Sequence, residues 1–381
     1  MTVSVNGPSL RRFYAAALQA VGVPSEHAEV VADGVYYADE RGLDSHGAQC
    51  FLRIYLRMAE AGEVDAAAVP VIATDHQACA TVDGRNAFGF VVGRFAMAEA
   101  IARARRHGVG AIAVRRSSHA GAMGFYSRAA RDAGMIAMSF TNLGRQGMVP
   151  PPGGRVPLVG TNVIAVAAPA DTEVPFGLDM STAVVSAGRV RVAARQGRAL
   201  PPGWLADPEG RDVVDPAALD RGEATLRFLG GGVETGAHKG FGLALFVDVL
   251  CGLLAGAGVG PTADKLEPPP ATAGRADADI GHFFIALQIA AFGEEARFRA
   301  RMDEMLGTVR RSSPADPEQS VTYPGMPEAA TLAERARTGV PFEPSLLAAI
   351  EQTAARLGVA PPERQSACQS ACQSAAVNLV E

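Results

Sequence analysis

The sequence lacks a basic excess, a cysteine framework and the motifs of two common enzyme classes. Lys and Arg total 35 against 40 Asp and Glu, a formal net charge of −5, so we expect no nucleic-acid partner. The five cysteines are scattered, odd in number and without a CxxC pair, which disfavours a disulfide framework and favours a reducing cytoplasm. The chain has no HExxH motif, so we expect no metal site. It also has no GxSxG motif, which disfavours a serine hydrolase.

The fingerprint of a Rossmann dinucleotide site, GxGxxG between a strand and a helix, is also missing. The nearest segment, 256–260, follows a long apolar stretch, and we interpret it as a helix end and turn. Spacing alone therefore predicts no dinucleotide site. Phosphate binding would fall to other glycine-rich turns or to helix N-termini.

A long uncharged apolar run is missing as well. At the N-terminus no basic cluster precedes an apolar stretch, so we expect no secretory signal. Residues 241–260 are mostly apolar and long enough to span a bilayer. Because Asp248 interrupts them and five glycines dilute them, we interpret the segment as a core helix and expect no membrane partner.

Apolar residues make up 48% of the chain, and their periodicity predicts both helices and strands. Ser9 and Ser25 stand where the first two helices should be capped. The low-charge repeat QSAC-QSAC-QSAA at 365–376 predicts a disordered tail over 363–381. Helices are predicted over 9–23, 25–40, 47–61, 87–107, 125–134, from 181 to about 195, and 294–310, a hairpin over 69–84, and strands over 109–114, 135–142, 161–169, 175–180 and 281–293.

Two segments place a histidine beside a serine. Ser45-His46 precedes an apolar helix, and Ser118-His119 joins an apolar strand to the small residues of AGAMG. Carbonyl reduction needs a proton donor beside the carbonyl oxygen, and histidine suits this role because its free pKa lies near 6.5. The residues alone equally allow a helix cap at Asp44 or Ser45 and an ordinary loop histidine at 119.

Two further polar residues are candidates. Asp179 ends a predicted strand just before a helix, where it would orient a histidine, accept from a ribose or simply cap the helix. Lys239 begins the long apolar helix, where it would meet a phosphate or a substrate carboxylate, or extend into solvent.

Taken in order, these segments resemble the type 2 malate/L-lactate dehydrogenase family. That family includes ureidoglycolate and sulfolactate dehydrogenases, diketogulonate reductases and Δ1-piperideine-2-carboxylate reductases. The resemblance runs from about residue 9 to 358. The matching segments are DSHG (44–47), SSHAGAMGFY (117–126), TN (141–142), PPGG (151–154), GTN (160–162), LDM (178–180), LPPGWLADPEG (200–210), HKGFGLAL (238–245), GHFFIAL (281–287) and YPG (323–325).

The resemblance implies an α/β fold without a classical Rossmann domain. An NAD(P)-binding lobe, residues 125–278, is expected to be inserted into a body formed by both chain ends, 1–124 and 279–362, which carries substrate binding and dimerisation. It also implies a homodimer, NADPH or NADH as cofactor, and a small-molecule substrate. The implied reaction moves a hydride to or from a 2-oxo or 2-hydroxy acid, or a cyclic imino acid.

Site roles follow from the same resemblance. His119 matches the acid/base of several members, whereas diketogulonate reductases use the residue matching His46. Ser45 and Asp179 are expected to orient the reacting groups. Arginines at 115, 116 and 145 are candidates for a 2′-phosphate, which leaves NAD and NADP both open. The cofactor contacts map onto Asn142, Asp179, Met180, Ser181, Lys239, Gly339, Val340 and Pro341.

One departure affects the substrate. Cys50 stands where many members have an Arg that grips the substrate carboxylate, a contact that cysteine cannot reproduce. Arg53 is predicted to share a helix face with His46 and Cys50, so it would substitute. Two alternatives stay open: an imine (ketimine) reductase with a specialised biosynthetic substrate, and a degenerate member that binds nucleotide without turnover. Further departures are Val163, Ala183, Arg189, Gln288 and Ile289.

Overall fold

The computed structural model describes residues 2–266 and 278–365. The chain forms two compact units. Unit 1 comprises the described residues of Met1–Ala68, Pro169–Gly177 and Ala296–Glu381, and unit 2 comprises those of Val69–Ala168 and Leu178–Glu295. From residue 366 on, the predicted disordered tail lies outside the described residues.

Both units mix strands and helices. The strands are β1 (Val3–Val5), β2 (Val71–His76), β3 (Cys79–Asp83), β4 (Val109–Ser117), β5 (Met135–Thr141), β6 (Val163–Ala168), β7 (Phe176–Ser181), β8 (Leu205–Ala206), β9 (Asp212–Val213), β10 (Thr225–Leu226), β11 (Ile280–Gln288) and β12 (Val340–Phe342). The α-helices are α1 (Gly7–Ala20), α2 (Ser25–Glu40), α3 (Ala48–Cys50), α4 (Leu56–Glu60), α5 (Gly89–His107), α6 (Gly124–Asp132), α7 (Ala187–Arg195), α8 (Ala217–Asp220), α9 (Ala237–Asp248), α10 (Glu295–Arg310), α11 (Met326–Thr338) and α12 (Pro344–Leu357). Two π-helical segments occur, at Phe51–Tyr55 and Val249–Leu254, and short 3₁₀ turns lie at Ala263–Leu266 and Ile289–Ala291.

A seven-stranded mixed sheet organises unit 2. Its strand order is β2-β3-β4-β11-β5-β6-β7. β3 and β4 are parallel, whereas β11 runs antiparallel to both of its neighbours. A Rossmann sheet is mostly parallel, so this topology agrees with an α/β fold of a different kind. A small sheet of order β10-β8-β9 accompanies it, and β1 pairs with β12 in unit 1.

The predicted domain boundaries do not follow the two units. β4 and β11 were assigned to the body and β5 to the inserted lobe, yet β11 pairs along its length with both β4 and β5. Which residues form the cofactor-binding part stays a prediction.

Local signals account for some helix ends, with two corrections. Helix α1 is capped by Asn6, whose side chain accepts from the Ser9 N–H, and not by Ser9 itself. Pro24, rather than Ser25, precedes the first residue of α2. Helix α5 ends as predicted at Gly108, whose φ of 81° is a left-handed conformation that suits glycine.

The apolar helix after residue 236 packs only one face into the core. One face packs Val247 and Cys251 against Phe140 and Phe283 of the sheet. Among the described residues this helix, Ala237–Leu254, is long and apolar enough by composition to cross a bilayer, with 39% of that window buried. Its exposed large side chains are Leu243, Phe246, Val249, Leu253 and Leu254.

Candidate active site

In unit 2, the loop that carries His119 is held from behind by helix α5. The Ser118 hydroxyl accepts a hydrogen bond from the Gly89 N–H at 2.8 Å and donates to the Ala87 carbonyl at 3.3 Å. A Cβ at Gly89 would lie 2.2 Å from the Ser118 carbonyl oxygen. Glycine is therefore needed at 89, because the loop backbone runs directly against the first turn of the helix.

The His119 imidazole is partly buried at the end of β4. Its Nδ1 accepts a hydrogen bond from the Gly121 N–H at 3.4 Å. A neutral imidazole that accepts at Nδ1 carries its proton on Nε2. The Tyr126 hydroxyl donates to the Ala120 carbonyl at 2.7 Å and fixes the loop on its other side.

Asp179 closes the same loop. Its Oδ2 accepts from the Gly124 N–H at 2.7 Å, at the N-terminus of α6, where a negative charge is favourable. The interpretation of Asp179 as a cap for the helix that follows it is wrong, since α7 begins only at Ala187 and is capped by Ser186. Asp179 instead anchors the segment that runs from His119 into α6.

Beneath this loop lies a histidine that the sequence analysis did not single out. His282 on β11 is fully buried between the hydroxyls of Thr141, 2.8 Å from Nδ1, and Ser117, 2.9 Å from Nε2. Burial lowers the pKa of His282 to about 4, so the ring is neutral near pH 7. It links β4 and β5 just before the loop that carries His119 begins.

Asn142 braces the fold from inside. Its amide nitrogen donates to Asp248 at 2.9 Å and to the Gly258 carbonyl at 2.8 Å. Its amide oxygen accepts from the N–H groups of Gly144 and Gly281, each at 3.0 Å. These four hydrogen bonds use the full capacity of an asparagine amide, so the side chain has none to offer a cofactor.

The other predicted cofactor residues of unit 2 are more accessible. Met180 and Ser181 are partly buried on β7, an edge strand, and the Ser181 hydroxyl donates to the Thr161 carbonyl at 2.8 Å. Lys239 is exposed in the first turn of α9, after a loop in which Gly236 has a φ of 105°. A cation at a helix N-terminus behind a glycine-rich loop suits a phosphate group.

In unit 1, His46 lies in a tight turn between α2 and α3. Its Nδ1 is 2.9 Å from the Ser45 hydroxyl, and the Cys50 thiol donates to the Ser45 carbonyl at 2.8 Å. Burial lowers the pKa of His46. Ser45 and Cys50 therefore both support the His46 turn.

The cap of this turn comes from an unexpected residue. The Ala48 N–H, at the start of α3, donates to Asp39 Oδ1 at 3.0 Å, and the Tyr14 hydroxyl donates to Asp39 Oδ2 at 2.6 Å. Capping by Asp44 or Ser45 is thus wrong: Asp44 forms an ion pair with Arg335 at 2.9 Å instead. Asp39 precedes the DSHG motif, so the motif gives no signal of its role.

Arg53 and Cys50 do not share an environment. The predicted helix over 47–61 contains the π-helical turn Phe51–Tyr55, so the α-helical spacing behind the shared face does not hold. Arg53 is exposed, whereas Cys50 is only 9% exposed and directs its thiol to Ser45. Contact of Cys50 with a substrate stays a prediction, and the thiol is already engaged.

The remaining cofactor residues lie in unit 1, on or beside β12. Gly339 has a φ of 80°, and a Cβ there would lie 2.6 Å from the Val5 carbonyl oxygen. Val340 is buried opposite Val5, and Pro341 is exposed opposite Ser4. The predicted turn is therefore a left-handed glycine followed by a short strand.

Comparison with known proteins identifies the family. A model of the family described as malate/L-lactate dehydrogenase matches residues 5–351. The chain belongs to this family. A malate dehydrogenase of Pyrococcus abyssi is 34% identical over 357 residues, 94% of this chain and 96% of the relative. The resemblance inferred from the motifs is confirmed, and this malate/L-lactate dehydrogenase family member is an oxidoreductase.

Solved structures of family members share the fold. The malate dehydrogenase of Entamoeba histolytica superposes with a TM-score of 0.88 at 28% identity, covering 94% of this chain and 99% of that one. The Δ1-piperideine-2-carboxylate reductase of Pseudomonas syringae gives 0.77 at 27% identity, covering 92% and 99%. The α/β fold expected for the malate/L-lactate dehydrogenase family is thereby confirmed.

Proposed function

We propose that this chain transfers a hydride between a nicotinamide cofactor and a small 2-oxo or 2-hydroxy acid, with His119 exchanging the proton. The way the His119 loop is held carries the proposal, because a fixed imidazole can exchange a proton at Nε2 with one substrate oxygen. Three elements hold the loop, through Ser118, Ala120 and Gly124. Such preorganisation keeps a donor in reach of a substrate oxygen.

The residues present fit a nicotinamide dinucleotide. Lys239 and the glycine loop before α9 suit the phosphates, and the partly accessible β7 residues Met180 and Ser181 suit the rest of the molecule. NADPH or NADH supplies the hydride when bound. The Asn142 side chain is assigned no cofactor contact, because it holds the adjacent loop through the Gly144 N–H.

His119 then acts at one defined step. In the direction of reduction, the protonated imidazole donates its Nε2 proton to the substrate oxygen as negative charge develops there, and the ring becomes neutral with its other proton on Nδ1. In oxidation, the neutral ring takes the hydroxyl proton at Nε2 and becomes protonated again. Ser118 and Asp179 position the loop that carries the imidazole.

A panel of substrates tests the proposal. Oxidation of NADPH and of NADH is followed against pyruvate, oxaloacetate, sulfopyruvate and cyclic imines, with His119→Ala beside the native chain. We expect turnover of at least one acid and loss of it in the variant. Full activity of His119→Ala overturns the assignment, and cofactor binding by calorimetry without any turnover supports a non-catalytic nucleotide-binding protein.

An imine substrate is the second candidate, and the environment of Cys50 favours it. The position where many members hold a carboxylate with an Arg is here a buried thiol bound to the Ser45 carbonyl. In this case His119 protonates nitrogen instead of oxygen, with the same donor atom. Turnover of cyclic imines with little turnover of pyruvate supports this candidate over the first.

We also propose a cytoplasmic homodimer, as the family resemblance implies. The scattered cysteines of the sequence support a reducing compartment. Light scattering coupled to size-exclusion chromatography tests the dimer, and a mass of one chain, 39.5 kDa, contradicts it.

A further inference from the structure

Asp39 is a buried carboxylate that connects three parts of unit 1. It lies in the last turn of α2 with 2% exposure. Its two oxygens accept from different elements: Tyr14 of α1 at 2.6 Å and the Ala48 N–H of α3 at 3.0 Å. Each oxygen therefore has a donor, and the carboxylate joins the start of α3 to the body of the helical core.

Gly47 shows how closely the turn rests on this carboxylate. A Cβ at Gly47 would lie 1.8 Å from Asp39 Oδ1, and the three nearest atoms to it all belong to Asp39. The next residue back is His46, whose N–H donates to the Leu43 carbonyl at 2.8 Å. The backbone on the C-terminal side of His46 is thus placed by Asp39.

We propose that Asp39 is a positioning residue for His46: through the Ala48 N–H it fixes the turn that holds the imidazole beside the Ser45 hydroxyl. The inference rests on the proposed function in one respect: the proposed function gives the His46 turn its role at the substrate. Without the carboxylate, the first N–H of α3 loses its partner, and the turn between Leu43 and Ala48 is free to move.

The charged groups around Asp39 are consistent with a structural role for its side chain. Tyr14 on α1, Tyr36 on its own helix, Asp44 in the turn and Arg335 on α11 are the titratable or charged groups that act on it. Burial raises the pKa of Asp39 to about 7, against the opposing hydrogen bonds from Tyr14 and Ala48. Arg335 also donates to the Asp39 carbonyl, which ties the end of α2 to α11.

The test measures the His46 imidazole directly, without substrate. Its ring C–H resonance is identified by comparison with His46→Gln and titrated in the native chain, Asp39→Ala and Asp39→Asn. Asp33→Ala is the matched control, because Asp33 lies on the same helix and pairs with Arg11 at the surface. We expect the His46 titration to move to higher pH in Asp39→Ala as water enters, and to stay unchanged in Asp33→Ala.

Asp39→Asn separates positioning from charge. The amide oxygen still accepts from the Ala48 N–H, so we expect a nearly native His46 titration and kcat within about threefold, against a loss that approaches, and does not exceed, about tenfold in Asp39→Ala. A folded Asp39→Ala chain with a native His46 titration overturns the proposal. So does an Asp39→Asn chain that shifts as far as Asp39→Ala.

A second variant covers the case in which Asp39→Ala does not fold. Ala48→Pro replaces the N–H that Asp39 accepts with a ring carbon that overlaps Asp39 Oδ1, so the turn must move off the carboxylate; the position is the first of the helix, where a proline backbone is tolerated. The same upward shift of the His46 titration is expected. A folded Ala48→Pro chain with a native titration overturns the proposal. The His46 titrations need no turnover, so they remain valid even if the native enzyme is inactive.

Discussion

The two candidate catalytic turns both contain a Ser-His pair, but the serine does different work in each. In the unit 1 turn, the Ser45 hydroxyl meets the His46 ring itself, 2.9 Å from Nδ1. In the unit 2 loop, the Ser118 hydroxyl accepts from the Gly89 N–H and donates to the Ala87 carbonyl. His119 Nδ1 is satisfied by the Gly121 backbone instead. The same dipeptide therefore places its serine beside the imidazole in one turn and against the backbone of α5 in the other.

The two turns also rest on opposite kinds of buried group. Asp39 under the His46 turn has its pKa raised from 3.8 to about 7, so its contribution to stability is present below pH 3.8 and lost as the pH rises through 7. His282 under the His119 loop has its pKa lowered from 6.5 to about 4, so its contribution is present above pH 6.5 and lost as the pH falls through 4. Acid should thus destabilise the His119 loop, whereas a rise in pH should destabilise the His46 turn.

The largest effect expected from this contrast is on turnover. His119→Gln should lower kcat by about 10²–10⁴-fold, the usual value of a general acid, because it removes the donor at Nε2. His46→Gln should lower it by only about tenfold, since His46 is engaged by Ser45. Steady-state kinetics at saturating cofactor measure both. The reverse order of the two losses would make His46 the proton donor.

The next effect is on stability in acid. Between pH 6.5 and 4 the buried neutral His282 should cost the native chain about 3 kcal/mol of unfolding free energy, because only the unfolded state takes up the proton. Denaturant unfolding of the native chain and His282→Gln across this range measures it. His238→Gln, at an exposed histidine, is the control. An equal pH slope in the native chain and His282→Gln contradicts the role of His282.

Sequence patterns predicted the elements around these turns better than the contacts within them. The helix over 25–40 and the hairpin over 69–84 were correct, because periodicity and turn residues are local signals. The π-helical turn Phe51–Tyr55 interrupted a predicted regular helix, and no residue pattern announces such a turn. The predicted alignment of Arg53 with Cys50 was lost with it.

The contacts that hold the two histidine turns in place could not be predicted from local sequence patterns. His282 meets Ser117 across 165 positions of the chain, and Tyr14 meets Asp39 across 25. Each pair depends on strand order or helix packing, which the sequence alone does not specify. His282 lay within GHFFIAL, a segment used only for family resemblance. A polar residue inside a buried strand was the available signal, because it requires a partner.

A smaller effect separates the two serines. Ser118→Ala leaves the buried Gly89 N–H without an acceptor and should lower the free energy of unfolding by about 2 kcal/mol. Ser45→Ala should cost less than about 1 kcal/mol, because Ser45 is only partly buried and water reaches its site. Denaturant unfolding at pH 7 compares them. Equal losses would mean that Ser118 does not hold the His119 loop to α5.

The smallest effect concerns how the His46 turn meets a substrate carboxylate. Arg53 is exposed and charged, so Arg53→Ala should raise KM for an acid substrate by about tenfold if it replaces the missing Arg at position 50. Cys50→Ala should change KM less than about threefold, because its thiol is turned to the Ser45 carbonyl and makes only a weak hydrogen bond. Initial rates over a range of substrate concentrations measure both. A larger rise in KM for Cys50→Ala than for Arg53→Ala would place the substrate against the thiol and show that the His46 turn opens when substrate binds.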